Sequence, residues 1–160
     1  MKPEQVTIRP FREDDRQPLK DLTVASFTNA SIDKNIEDMF GKLGDTDWKT
    51  RKSEHIDDDV AVNVGGVLVA EYEGEIVGYI TVVLNRVAKL GRIPNTAVDE
   101  RYRGLGIGKK LINAADEYMR SEGMTHAKIE TLAQNEIGGY LYPKMGYREV
   151  ARQVHYVKEL

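Results

Sequence analysis

Apolar positions along the chain recur at two spacings, and the switches between them mark the elements. "VTIRPF" (6–11) alternates as a short strand that Pro10 can end, and "REDDRQPLKDLTVASF" (12–27) has helical spacing behind an acidic first turn. From Asn29 to Asp59 the pattern weakens, with helical fragments at "NIEDMFGKL" and "WKTRKSEHI" interrupted by Gly41, Gly44 and the "GDTD" turn. "GVLVAEYEGEIVGYITVVLN" (66–85) reads as two β-rich runs around Glu73-Gly74, a tight hairpin signal. A fourth strand is expected at "IPNTAV" (93–98). Ile107, Leu111, Ala114, Ala115 and Tyr118 then share one face of a helix, with Gly123 as its C-cap. "HAKIETL" (126–132) predicts a fifth strand and "EIGGYLYPKM" (136–145) a short helix weakened by two glycines and Pro143. "YREV" and "RQVHYVKEL" close the chain as β-type runs. The order implies a mixed α/β (α+β) sheet covered by helices, in a single domain over residues 1–160.

Composition narrows the function classes. Apolar residues make up 41% and charged residues 31%, as in soluble globular proteins, and no apolar run approaches the roughly 20 residues of a membrane span. "MKPEQVTIRPF" lacks the apolar stretch of a secretory signal, so the expected compartment is the cytoplasm. The absence of cysteine removes thiol chemistry and thiolate zinc sites, and no metal is expected. A net charge of −3 argues against a general nucleic-acid binder.

Positive charge is local, and much of it lies in "RYRGLGIGKK" (101–110). A dinucleotide fingerprint fails there in both registers, because Lys109 or Leu111 falls at the third glycine. The P-loop pattern fails as well, since Arg103 replaces its first glycine and Lys110 its hydroxyl residue. What remains is a strand end, a loop of small residues and a helix start near Ile107. Such a helix N-terminus offers unpaired amides to an anion, and Lys109 and Lys110 in its first turn oppose the dipole unless an anion is present.

Arg103-x-x-Gly106-x-Gly108, between a strand end and an amphipathic helix, resembles motif A of the GCN5-related N-acetyltransferases (GNAT). "NEIGGYLYPKMGYREV" is similar to a second segment of that family, with Asn135, Leu141, Tyr142 and Gly146 in register. The resemblance runs from about Val6 to the end of the sequence and implies a mostly antiparallel sheet of six to seven strands. Helices would cover both faces, and the fourth and fifth strands would splay apart to admit acetyl-CoA. Backbone amides of Arg103, Gly104, Leu105, Gly106, Ile107, Gly108 and Lys109 would hold the pyrophosphate. Ala97 and Val98 would pair with the pantetheine arm through their backbones, Asn135 would bond that arm, and Tyr142 would protonate the departing thiolate. Two departures stand out: Gly138 replaces the family's usual alanine, and Tyr147 its phenylalanine.

The implied reaction is transfer of acetyl from acetyl-CoA to a primary amine by direct attack on the thioester, with a non-catalytic acyl-CoA-binding or sensing domain as the alternative. No carboxylate lies in "IPNTAV" to serve as base; Asn95 and Thr96 can only orient water, and Glu71 on the second strand and Glu130 on the fifth are candidate proton acceptors, although strand glutamates more often face solvent. His155 reads as a packed strand residue. Asp57-Asp58-Asp59, with Glu37, Asp38, Asp45 and Asp47, would attract a cationic amine such as a polyamine, an amino-sugar or a protein amine. The closing strand suggests a homodimer; no nucleic acid or membrane partner is expected.

Overall fold

The computed structural model describes residues 5–160. Strands β1 (Thr7–Pro10), β2 (Val67–Tyr72), β3 (Glu75–Thr81) and β6 (Thr96–Val98) form an antiparallel sheet in the order β1-β2-β3-β6. The β2–β3 hairpin turns at Glu73 and Gly74, both with positive φ, as a type I′ turn demands. A second sheet holds β4 (Val83–Asn85), β5 (Leu90–Ile93) and β7 (His126–Ile129), with β4 antiparallel and β7 parallel to β5. Five α-helices complete the described residues: α1 (Arg16–Ser26), α2 (Ile32–Phe40), α3 (Trp48–Asn63), α4 (Ile107–Ser121) and α5 (Glu136–Lys144).

Period-two alternation in β2 makes two cores. Val67 and Val69 face Leu19 of α1 and Ile56 and Val60 of α3, together with Tyr79 and Ala97. Leu68 and Ala70 face the other way, toward Ile107, Leu111, Ile112 and Ala115 of α4. Gly78 is small for a reason of packing: a Cβ there would lie 2.9 Å from Ala97 O and 3.1 Å from Leu111 Cδ1. No helix among the described residues is long and apolar enough to cross a membrane.

Two expectations are corrected. "IPNTAV" is not one strand: Ile93 ends β5, Pro94 and Asn95 break the run, and Thr96 begins β6 in the other sheet. Proline has no N–H for a ladder, so the break falls where the chain has one donor fewer. The closing runs "YREV" and "RQVHYVKEL" form no strand; residues 147–160 have no regular structure, and every residue from Arg148 on is exposed. Seven strands are present among the described residues: the hairpin's second run is divided into β3 and β4, and β5 adds Leu90, Gly91 and Arg92, which no expected strand covered.

Candidate active site

The break at Pro94-Asn95 separates two partners. β5 pairs with β7 from Leu90↔His126 to Ile93↔Ile129, whereas β6 leaves that partner and pairs with β3 alone. Thr81 N–H donates to Asn95 O (2.9 Å) and Asp99 N–H to Val77 O (3.0 Å). With the register Tyr79↔Ala97 between them, Ala97 is the bonded residue of the same set, and Thr96 and Val98 turn their N–H and C=O groups away from β3. No strand among the described residues meets them on that side. On this edge Thr96 and Val98 carry backbone groups that no described strand takes up, Val98 O accepting only from the Arg103 side chain, while those of Ala97 are committed to Tyr79 on β3.

From Val98 the chain passes through a 3₁₀ turn (Glu100–Tyr102) into the glycine loop. Gly104 (φ 77°) and Gly106 (φ 79°) both lie in the left-handed region, and Gly106 stands at the N-cap of α4 with no side chain capping the helix. The first-turn amides of α4 are therefore left for an outside acceptor. Gly108 has another role, because a Cβ would lie 3.3 Å from Leu141 Cδ2; its smallness lets α5 approach α4. Ile107 is buried in the core, so only its backbone faces the loop, and Leu105 is half-buried.

The loop's cations divide. Arg101 is bound to Asp99 and Glu75, and Lys110 Nζ donates to Val6 O (2.9 Å). Lys109 is exposed with no partner among the described residues, and Arg103 is exposed, its Nε reaching only Val98 O at 3.4 Å. Free amides, bare backbone and two uncommitted cations suit an anion such as a pyrophosphate.

Asn135 and Tyr142 sit together on α5. Asn135 is the helix N-cap: its Oδ1 accepts from Gly138 N–H (3.2 Å) and its Nδ2 donates to Thr131 Oγ1 (2.8 Å). Gly138 is buried beneath both residues, where an added Cβ would lie 2.8 Å from the Tyr142 ring and 2.9 Å from Asn135 Nδ2. The departure from alanine thus fits the placement of this tyrosine. Tyr142 is half-buried, its hydroxyl has no hydrogen-bond partner among the described residues, and burial pushes its pKa up. Tyr147 packs edge-on to Tyr142 at 6.3 Å, and its hydroxyl donates to Asp116 Oδ1 on α4 (3.3 Å).

A polar cluster beside the break escaped the sequence reading. Lys52 Nζ on α3 donates to Asn95 Oδ1 (2.8 Å), and Asp59 Oδ2 accepts from Asn95 Nδ2 (2.7 Å) and Thr81 Oγ1 (2.7 Å). All four residues are buried. Lys52 Nζ also lies 4.1 Å from the Phe27 ring centroid and 3.2 Å from His55 Nδ1. Burial lowers the Lys52 pKa, and burial together with Lys52 lowers that of His55. A signal was present: Lys52, Ile56 and Asp59 have the i, i+4, i+7 spacing of a buried helix face.

Part of the expected acidic field is already neutralised, while Asp45 and Asp58 remain exposed. Asp59 is enclosed, Asp57 pairs with Arg16 and Lys20, and Glu37 and Asp33 lie against Arg51. Glu71 is tied to Arg9 (2.6 Å), Glu130 to Lys128 (3.0 Å), and His155 stands exposed rather than packed. Among the described residues no group of three or more His, Asp or Glu is placed to hold a metal.

Known proteins share this fold. The model of the acetyltransferase (GNAT) family matches residues 30–147. An N-alpha-acetyltransferase of Sulfurisphaera tokodaii is 34% identical over 99 residues, which cover 55% of this chain and 59% of that protein. An uncharacterised N-acetyltransferase of Chlorobaculum tepidum is 27% identical over 96 residues, 60% of this chain and 58% of that protein. The chain thus spans less than two thirds of the length of these curated relatives. Among solved structures, Ard1 from Thermoplasma volcanium superposes with a TM-score of 0.68 at 22% identity, covering 92% of this chain and 85% of the other. The PaiA N-acetyltransferase from Thermoplasma acidophilum, in complex with coenzyme A, gives 0.71 at 18% identity, covering 89% of each. With the family model matching most of its length and the divided strand beside the glycine loop, this chain belongs to the acetyltransferase (GNAT) family.

Proposed function

We propose that the protein transfers the acetyl group of acetyl-CoA to a primary amine by direct attack on the thioester. The observation that carries this reading is the unpaired edge of Thr96 and Val98, which opens beside the uncapped N-terminus of α4. Acetyl-CoA supplies an acyl carbon activated by its sulfur. The amides from Arg103 to Lys109, with the charges of Arg103 and Lys109, hold its pyrophosphate, and Thr96 and Val98 pair with the pantetheine arm. Val98 N–H is the donor for the developing oxyanion. Asn135 holds α5 in position through its cap and reaches the pantetheine arm with its side chain, while Tyr142 protonates the leaving thiolate. Burial keeps the Tyr142 hydroxyl protonated at neutral pH, the form a general acid requires.

The acceptor follows from what is missing beside the break. Asn95 and Thr96 side chains are already engaged, Thr96 Oγ1 donating to Tyr79 O (3.0 Å), and the Asp59 carboxylate is spent on Asn95 and Thr81. An amine that loses its proton readily needs the least help, which favours a peptide α-amine, with pKa about 8, over a lysine or polyamine, about 10. The N-alpha-acetyltransferase relative supports the same class. The partners are then an amine-bearing peptide or protein and a second copy of this chain.

A thiol-release assay with acetyl-CoA and a panel of peptide α-amines, ε-amines and polyamines tests the reading. Release should be fastest with α-amines, and Tyr142→Phe should lower turnover about 100-fold with CoA affinity nearly kept. CoA binding without release on any amine would instead mark a binding or sensing domain, and an unchanged turnover would remove Tyr142 from the chemistry.

A further inference from the structure

We propose, resting on the reading of Tyr142 as the acid for the thiolate, that Tyr147 is a positioning residue for the Tyr142 hydroxyl and fastens the last turn of α5 to α4 through Asp116. The local sequence is "YPKMGY" (142–147). Pro143 inside α5 has no N–H to donate, and the turn around it is closed by a cap: Gly146 N–H donates to Pro143 O (3.1 Å) and Tyr147 N–H to Tyr142 O (3.1 Å). Gly146 reverses the chain at φ 92°, in the left-handed region where a side chain would be strained. A cap of this kind sets the residue after the glycine against the residue that opens the last turn, and here these are Tyr147 and Tyr142.

Tyr147 thus holds Tyr142 twice, by its carbonyl and by its ring, edge-on at 6.3 Å. A phenylalanine would do both. What the hydroxyl adds is an attachment to another element: it donates to Asp116 Oδ1 on α4 (3.3 Å), and the Asp116 carboxylate has no other hydrogen-bond partner among the described residues. At 3.3 Å this bond is longer than the usual O–H···O contact, so its share of the effect is the smaller one.

Helix α4 begins at the glycine loop, where Gly108 takes Leu141 of α5 in close contact. α5 is therefore fastened to α4 at two places, Leu141 on Gly108 and Tyr147 on Asp116, and Tyr142 stands between them in sequence. The Tyr142 hydroxyl itself has no partner among the described residues, so its direction is set by what holds its ring and backbone. The adjacent glycines loosen the start of α5, and Tyr147 secures its end. A displacement of about 1 Å at a reacting group can cost about 100-fold in rate, so such an anchor is read in turnover.

Thiol release from acetyl-CoA with a peptide α-amine is the measurement. Tyr147→Leu, which removes ring and hydroxyl, should lower kcat about 30-fold, and Tyr147→Phe, which keeps the ring, about threefold, with acceptor KM and CoA affinity nearly unchanged. Asp116→Ala should match Tyr147→Phe, and Asp116→Asn, which still accepts the bond, should restore most of that loss. The deciding comparison repeats Tyr147→Leu in a Tyr142→Phe background. A residue that acts through the Tyr142 hydroxyl has nothing left to position there, so kcat should fall no further. An equal fall in both backgrounds overturns the proposal and makes Tyr147 a support of the fold, as does an unchanged kcat for Tyr147→Leu. If Tyr142→Phe itself leaves turnover unchanged, or no amine releases thiol, the acid assignment fails and the proposal with it. Should Tyr147→Leu fail to fold, Tyr147→Phe and Asp116→Ala carry the same comparison between backgrounds.

Discussion

The two sheets are built to different standards. In the four-stranded sheet, Val67, Val69, Ala70, Tyr79 and Ile80 are fully buried, helices cover both faces, and the polar groups inside are hydrogen-bonded to one another. In the three-stranded sheet the strands are three or four residues long, Leu84, Ala127 and Ile129 are partly exposed, and one edge is open. The candidate site lies where they part. A rigid wall fixes the Thr96 and Val98 amides, and a looser one carries Asn135 and Tyr142 on a helix with two adjacent glycines. The difference assigns preorganisation to the first sheet and adjustment to the second.

The largest effect should come from the buried cluster that fixes the break to the rigid wall. Asp59→Ala removes the acceptor shared by Asn95 Nδ2 and Thr81 Oγ1, and the field that offsets the Lys52 charge. A loss of about 3 kcal/mol is expected, read as a lower urea midpoint with unchanged slope. Lys128→Ala on the open edge should change stability by less than about 0.5 kcal/mol. Comparable losses from the two would erase the contrast.

A smaller effect separates the adjacent glycines of α5. Gly139→Ala meets nothing within 4 Å and should stabilise by about 1 kcal/mol, the ordinary helix propensity gain. Gly138→Ala gains the same but drives a Cβ into Tyr142 and Asn135, an overpacking of about 1–3 kcal/mol, so the net change should be a loss of about 1 kcal/mol. It should also lower turnover, by displacing the tyrosine. If both variants gain stability, the looser wall accommodates more than the contacts around Gly138 allow.

How far these features were legible follows from the same division. Helix α4 was plain because its apolar face repeats over four turns, and the β2–β3 hairpin because Glu73-Gly74 has one dominant conformational use. The glycine loop's place between a strand end and the N-terminus of α4 was readable from the order of strand, glycine and helix signals. Pro94 in "IPNTAV" was the visible mark of the break, but which backbone groups it frees depends on pairing with β3, a long-range register. The Lys52–Asn95–Asp59 cluster joins positions far apart in sequence, so the spacing of Lys52, Ile56 and Asp59 marks a buried helix face without naming Asn95 as its partner. "RQVHYVKEL" has strand composition, yet composition does not supply a neighbour.

The smallest predicted effect tests whether the rigid wall encloses a charged lysine. Lys52 is buried against Phe27, His55 and Asn95, and desolvation lowers its pKa although Asp33 and Asp59 pull it upward. In the unfolded chain the group has the ordinary lysine value of about 10.5. Between the lowered folded value and that limit, the unfolded state binds more protons, so stability rises with pH. The penalty for enclosing the charge is fully present below the folded pKa and is relieved above it. From pH 7 to 9 the protein should therefore gain a few tenths of a kcal/mol relative to Lys52→Met, which shares the titration of the tyrosines, measured by urea midpoints at each pH. Parallel pH profiles for the two would mean that water reaches the ammonium, and that the wall beside the break is as open as the sheet across from it.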